Sequence, residues 1–185
     1  MPYLRRSYIA RALSLMDIVQ TIREHEKSVL SSVENINEIL SIAKLIKTHP
    51  SSTAIQLAGL HSCRRLFLHL LENHTFLRSH ESEETRTIYL WLRKQYEAFK
   101  STLFKWIVEN KENLIAPSIR TLLEFCKKDY LQFSSTNITF GCETFSRLIE
   151  ALVRSADLDI DVVLMLREEV LNDLICEIHL FLCSS

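Results

Sequence analysis

Three groups of residues have types and spacings that chemistry could use. Asp157, Asp159 and Asp161 alternate along the chain, and Glu168 stands at the twelfth place counted from Asp157. A calcium loop gathers oxygen ligands in that way, but it turns on a Gly at its sixth place. Val162 holds that place, and Val163, Leu164, Met165 and Leu166 read as buried helix. Acids at a helix N-terminus, where the macrodipole favours negative charge, are the better account. Cys176, His179 and Cys183 fall at i, i+3 and i+7, on one helical face, and zinc accepts both ligand types. A structural zinc site takes four ligands, and no fourth stands nearby, so core cysteines beside a half-exposed histidine are expected. His61 and Cys63 sit two apart on a helix and point in different directions, whereas a nucleophilic pair needs contact. With two Gly in the whole chain, no phosphate-cradling loop is present. No catalytic, cofactor-binding or metal-binding residue is therefore assigned.

Recognition is better served. Arg64-Arg65, Arg93-Lys94 and Lys127-Lys128 are basic pairs on three long helical segments. If their faces align, they form a modest patch for an anionic ligand; the plainer reading is solvated helix surface. Trp91 and Trp106 are large enough to anchor a partner, although core packing is the commoner use of such side chains. The partner-binding set read from the sequence is Arg64, Arg65, Trp91, Arg93, Lys94, Lys127 and Lys128.

These residues must be held by something, and the composition says what. The chain has 185 residues, enough to bury a core, with 47% apolar and 24% charged residues. Two Gly and three Pro are too few for the turns a sheet-rich fold needs, which points to long helices. A formal net charge of -1 gives no general attraction for phosphate backbones. Five Cys, none in a CxxC pair, read as buried thiols in a reducing compartment. The sequons at Asn73 and Asn137 then read as chance matches. No apolar run is long enough for a membrane span; the best stretch is broken by Arg167, Glu168, Glu169, Asp173 and Glu177.

Seven helical segments follow from apolar periodicity. The first covers residues 6–30, with Tyr8, Ala12, Leu15, Val19 and Ile22 on one face. The second begins at Ser32, carries Val33, Ile36, Leu40, Ala43 and Ile46, and stops before His49-Pro50. Ser51, Ser52 and Thr53 offer an N-cap for the third, which buries Ile55, Leu60, Cys63, Phe67, Leu70 and Leu71 and fades at Asn73. Residues 73–83 read as a loop. A fourth segment, residues 84–109, has a stripe of Ile88, Leu92, Tyr96, Phe99, Leu103 and Ile107. Trp91, Phe104, Trp106 and Val108 lie off it, so this helix is expected to be packed on both flanks. Pro117 suits the first turn of a fifth segment with Ile119, Leu122, Leu123, Cys126 and Tyr130. After a loop at 134–137, a sixth covers residues 141–154, with Phe145, Leu148, Ile149 and Leu152. Residues 155–159 break it. The seventh covers 160–181, with Val163, Leu166, Val170, Leu174, Ile178 and Phe181.

Short links and successive pairs suit a single all-α domain over residues 1–185, built as a helical-repeat stack of the HEAT or armadillo kind. A closed helical bundle is the alternative. Residues 1–30 could be a loosely attached first helix and 172–185 a divergent tail. Arg5, Arg6 and Arg11, with no acid before Asp17, have the composition of a mitochondrial targeting helix. A basic first helix explains them as well, because the apolar pattern runs on through Ile18, Val19 and Ile22.

Several stretches resemble the N-terminal region of the nucleolar complex protein 4 family. They are Cys63-Arg64-Arg65-Leu66-Phe67 with Leu70-Leu71-Glu72; Trp91-Leu92-Arg93-Lys94-Gln95-Tyr96 with Phe99; residues 118–125, Ser118 to Phe125; and Phe140 followed by Phe145-Ser146-Arg147-Leu148-Ile149. The Trp-Leu-Arg-x-x-Tyr element is the most distinctive, and the resemblance covers about residues 28–171. It implies a non-catalytic helical-repeat scaffold for ribosome biogenesis, in nucleolus and nucleus, serving small-subunit rRNA processing through protein binding. The implied partners are nucleolar protein 14 and other small-subunit processome proteins. It carries no catalytic, cofactor or metal residues. Family members are longer and have a C-terminal domain where the main partner contact is expected. Residues 172–185 do not resemble the family's continuation, so the chain is expected to be an N-terminal part or truncated form. No strong basic import cluster is present, so nuclear entry is expected to depend on a partner. A mitochondrial helical factor is the alternative location and role.

Overall fold

Apolar side chains recurring at three- and four-residue intervals require helices that bury one face, and the chain folds accordingly. The computed structural model describes residues 2–73, 82–133, 139–154 and 168. Among them are six α-helices and no strand: α1 Pro2–Ser31, α2 Glu38–Thr48, α3 Thr53–Glu72, α4 Glu83–Val108, α5 Glu112–Phe133 and α6 Thr139–Arg154. The seventh segment expected at 160–181, apart from Glu168, lies outside the described residues, as do the breaks at 134–137 and 155–159 and most of the 73–83 loop.

Helix contacts sort the six into two rows. One row holds α1, α3 and α5, with α3 touching both its neighbours; the other holds α2, α4 and α6, with α4 touching both of its own. Between the rows, α1 packs on α2, α2 on α3, α4 on α5 and α5 on α6. This zig-zag of antiparallel helices is a helical-repeat stack, in which each unit buries its apolar face against the next.

The α3 and α4 backbones keep their distance, and large aromatic rings span the gap. Phe67 of α3 lies 5.3 Å from Tyr96 and 5.6 Å from Phe99 of α4, centroid to centroid. Phe125 of α5 completes the group, 5.0 Å from Tyr96 and 6.1 Å from Phe99, both edge-on. Tilted and edge-to-face pairs place a ring's positive edge on its neighbour's negative face, which adds to the gain from burial.

Local chemistry sets the helix ends, and two of them differ from the expectation. The expected second helix does not start at Ser32. A short 3-10 turn covers Val33–Asn35, and α2 begins at Glu38. Asn35 and Asn37 are poor helix formers, and the turn resets the helical phase. The buried face of α2 is consequently Ile39, Ile42 and Ile46, while Leu40 is left largely exposed. Nor does Pro117 open α5; it lies inside that helix. The cause is Asn110, whose φ of 51° is left-handed. Its N–H bonds the Ile107 carbonyl at 3.1 Å, and the next N–H, of Lys111, bonds that of Trp106 at 3.1 Å. This pair of bonds closes a helix and turns the chain. The Lys111 carbonyl then accepts from Leu114 and Ile115 at 2.7 and 3.2 Å, so α5 starts at once.

Other ends match. α2 ends at Thr48, before His49-Pro50, and the Ser52 hydroxyl accepts from Ile55 N–H to cap α3. α3 crosses α2 at Gly59, where an added Cβ would stand 2.4 Å from Ile46 Cγ1. Only a residue with no side chain permits that approach.

Candidate partner-binding site

The basic pairs expected to form one patch are divided between the rows. Arg64 and Arg65 are on α3, and Lys127 and Lys128 on α5, in the first row; Arg93 and Lys94 are on α4, in the second. Three of the six hold ion pairs within the first row. Arg64 grips Glu124 of α5 with two nitrogens, the Nε contact measuring 2.6 Å. Arg65 grips Glu26 of α1 in the same two-pronged manner, with Nη2 at 2.7 Å from Oε2. Lys128 reaches Glu72 of α3 at 2.8 Å. A planar guanidinium meeting both oxygens of a carboxylate is the geometry that fixes orientation as well as attraction.

Glu26 is the residue that the sequence reading missed. It is buried on the apolar face of α1, between Ile22 and Val29, and accepts the Ser62 hydroxyl at 2.7 Å. Burial pushes its carboxyl up, but the Arg65 and Ser62 hydrogen bonds outweigh that and hold it below the usual range. An acid at i+4 from one core residue and i−3 from another was the available signal.

Nucleophilic chemistry at Cys63 is disfavoured. Its side chain is buried, and burial, helped by Glu26, pushes the thiol up to about 12. A thiol held neutral is neither nucleophile nor metal ligand. His61 is pushed down by burial and by the charges of Arg64 and Arg65. Among the described residues, no three His, Cys, Asp or Glu side chains gather as they would around a metal ion. The Cys176, His179, Cys183 group and all of the 157–168 acidic run except Glu168 lie outside those residues. Among the described residues, no helix is long and apolar enough to cross a membrane.

The second row carries a cleft. Arg93, Glu97 and Lys100 of α4 face Glu143, Thr144 and Arg147 of α6 across a volume of about 280 Å³. Lys100 meets Thr144, and Phe104 meets Arg147, so the two helices run in parallel there. Lys100 is 1% exposed. Its Nζ lies 2.7 Å from Glu97, 3.2 Å from the Thr144 hydroxyl, 3.7 Å from Asp129 of α5 and 4.4 Å from the Tyr96 ring centroid. The Tyr96 hydroxyl in turn donates to Asp129. Burial raises Asp129 to about 6, and Lys100 and Tyr96 only partly counter it. Burial, with Asp129 alongside, also drives the Tyr96 phenol well above its ordinary value.

Of the expected set, Arg93 lines this cleft and Lys94 beside it is exposed. Trp91 is half-buried against the core, and Lys127 is exposed on α5. Trp106, the other large aromatic, is core. Lys100, Thr144 and Arg147 were not read as site residues. Thr144 and Arg147 meet partners on α4, and Lys100 reaches Asp129 and Thr144 on other helices besides Glu97 on its own, so short-range spacing carried little signal for them.

A two-row stack in which each helix buries its apolar face on the next is the build of a helical repeat. Residues 15–171 match the family model described as nucleolar complex protein 4-like, TPR repeats. The chain belongs to that family, which is of the ribosome-biogenesis scaffold type. No curated protein and no solved structure gave a match. The match lends no support to the mitochondrial alternative.

Proposed function

We propose that this chain is a non-catalytic scaffold for small-subunit rRNA maturation, acting in the nucleolus through protein–protein contacts. The observation that carries the reading is the family match over residues 15–171, on a fold whose helices form the two rows such a repeat requires. Nucleolar protein 14 and other small-subunit processome proteins are the partners that the family resemblance suggests. The proposed contact face centres on Trp91, Arg93 and Lys94 of α4, with Lys127 on the opposite row. Arg64, Arg65 and Lys128 serve it by holding the first row in shape. Binding energy in such a contact comes from a few aromatic or Arg anchors, and the remaining surface supplies fit.

Affinity purification of the tagged chain at moderate salt is the test. Recovery of small-subunit precursors, resistant to ribonuclease, is expected. Their absence from a well-expressed sample would overturn the proposal, and imaging the same tagged protein should place it in the nucleolus.

A further inference from the structure

α4 begins well before its neighbours reach it. Glu72, the last residue of α3, meets Lys128 of α5, and the next residue of α5, Asp129, meets Tyr96 of α4. α3 therefore ends level with Tyr96. α5 runs four residues past Asp129, to Phe133, which lies level with Leu92 of the antiparallel α4. Thr144 of α6 meets Lys100, and α6 starts five residues earlier, level with Gln95. α2 starts at Glu38, eight residues before Ile46, and Ile46 lies against Gly59 of α3. That start is level with Phe67, whose ring lies against Tyr96 and Phe99. Residues 83–91 thus project about 13 Å beyond these four helices.

Burial agrees. Leu92 is the first buried residue of α4, whereas Glu83, Glu84, Arg86 and Thr87 are exposed, Ile88 is 50% exposed and Leu90 54%. Ile88 opens the apolar stripe of this helix, yet no described helix stands at its level to cover it.

Shape and charge narrow what does. Ile88 and Leu90 stand about 200° apart around the helix, so a flat surface engages one of them and a groove engages both. A second copy offers only the same convex rod. Two such rods side by side, each about 13 Å long and about 10 Å wide, bury a few hundred Å², against the roughly 1,000 Å² of a specific interface. The end of the rod carries Glu83 and Glu84, and Arg86 is the single cation among residues 82–90. Entering a membrane end first, the rod would bury those acids before its apolar side chains. The same acids oppose a phosphate backbone.

We propose that the projecting start of α4 is inserted into an apolar groove of a partner protein, one that carries lysine or arginine where Glu83 and Glu84 enter. The inference deepens the scaffold reading, from which it takes the partner to be a protein of the same assembly.

The test uses the full chain, with small-subunit precursor particles as the probe. Ile88→Ser combined with Leu90→Ser should weaken binding about tenfold, and Glu83→Lys with Glu84→Lys about threefold. Val153→Ser, at a still more exposed apolar side chain on α6, should bind as the unaltered chain does. Helix content and the urea midpoint should be unchanged in each variant, because none of these side chains is buried. Cross-linking gives a second measurement. Photoreactive benzoylphenylalanine in place of Leu90 should join, in cells, a single protein at an apolar groove, and carbodiimide should join Glu83 or Glu84 to a lysine at that groove's rim. Equal loss with Val153→Ser, or adducts to RNA, to lipid, to a second copy or within the chain itself, would each overturn the proposal. Undiminished binding by the Ile88→Ser, Leu90→Ser double variant would sink this inference and leave the scaffold reading standing. Failure of the unaltered chain to bind the particles would sink that reading instead, and the two cross-links would then decide the groove by themselves.

Discussion

Asp129 accepts the Tyr96 hydroxyl through both carboxylate oxygens, at 3.1 and 3.2 Å, and both residues are buried between α4 and α5. Burial there keeps the carboxyl at about 6, against an ordinary value of 3.8, although the Tyr96 hydroxyl and Lys100 pull it down. A group raised on folding contributes stability that is complete below its unfolded value and is lost as pH rises through its folded one. From pH 3 to pH 7 this contribution should therefore fall, by about 3 kcal/mol for a shift of this size. Urea unfolding across that range measures it. Asp129→Asn keeps an acceptor for Tyr96 and should flatten the profile.

The opposite sign applies at Glu26. Its carboxyl is held below the usual range by Arg65 and Ser62 against the pull of burial, so its contribution is present above about pH 4.5 and fades as pH falls through the lowered value. Arg65→Ala removes the partner and leaves a buried, uncompensated carboxylate. Half of the Arg65 side chain is exposed, which tempers the loss to about 2 kcal/mol. Replacing both residues, as Glu26→Met with Arg65→Met, should cost less than Arg65→Ala alone. Chemical denaturation of the variants would show it, and a strictly additive double variant would speak against the pairing.

At Gly59 the expected fault is steric. An alanine Cβ would meet Ile46 Cγ1 and Cδ1 at 2.4 and 2.6 Å, forcing α2 away from α3. Gly59→Ala should lower stability by about 1–3 kcal/mol despite alanine's better helix propensity. Ile46→Ala introduced with it should recover part of the loss, as read from thermal or denaturant midpoints.

Phe67 stands among Tyr96, Phe99 and Phe125, so its removal opens the only aromatic bridge described between α3 and α4. Phe67→Ala should cost about 3–5 kcal/mol, and Phe67→Leu clearly less. If the bridge holds the two rows together, amide exchange should speed up in α4 as well as in α3.

Much of this fold was legible because local rules decide it. His49-Pro50 ends α2, Ser52 caps α3, and the stripe from Leu92 to Ile107 buries α4. Where reading failed, a competing local effect had been overlooked. Asn110 takes the left-handed closing position, so α5 starts at Glu112 and Pro117 falls inside it. Phe145 and Ile149, expected as core, are partly exposed on α6, where Thr144, Leu148 and Ala151 face inward. The site was less legible. Arg93 and Lys94 announced themselves as a basic pair. Glu26 stands at core spacing on its own helix, but the partners that hold it and Lys100 lie 39 and 29 residues away, in the pairs Arg65–Glu26 and Lys100–Asp129, and spacing along one helix does not reveal such partners.

Arg64 and Arg65 are adjacent in the chain, yet they reach opposite ways, one to Glu124 of α5 and the other to Glu26 of α1. A single dipeptide thus pins the middle rod of its row to both flanking rods. With the buried apolar packing and the Lys128–Glu72 pair, those two side chains fix the angle at which the three rods lie, so a pull on one end of the row is shared with the other.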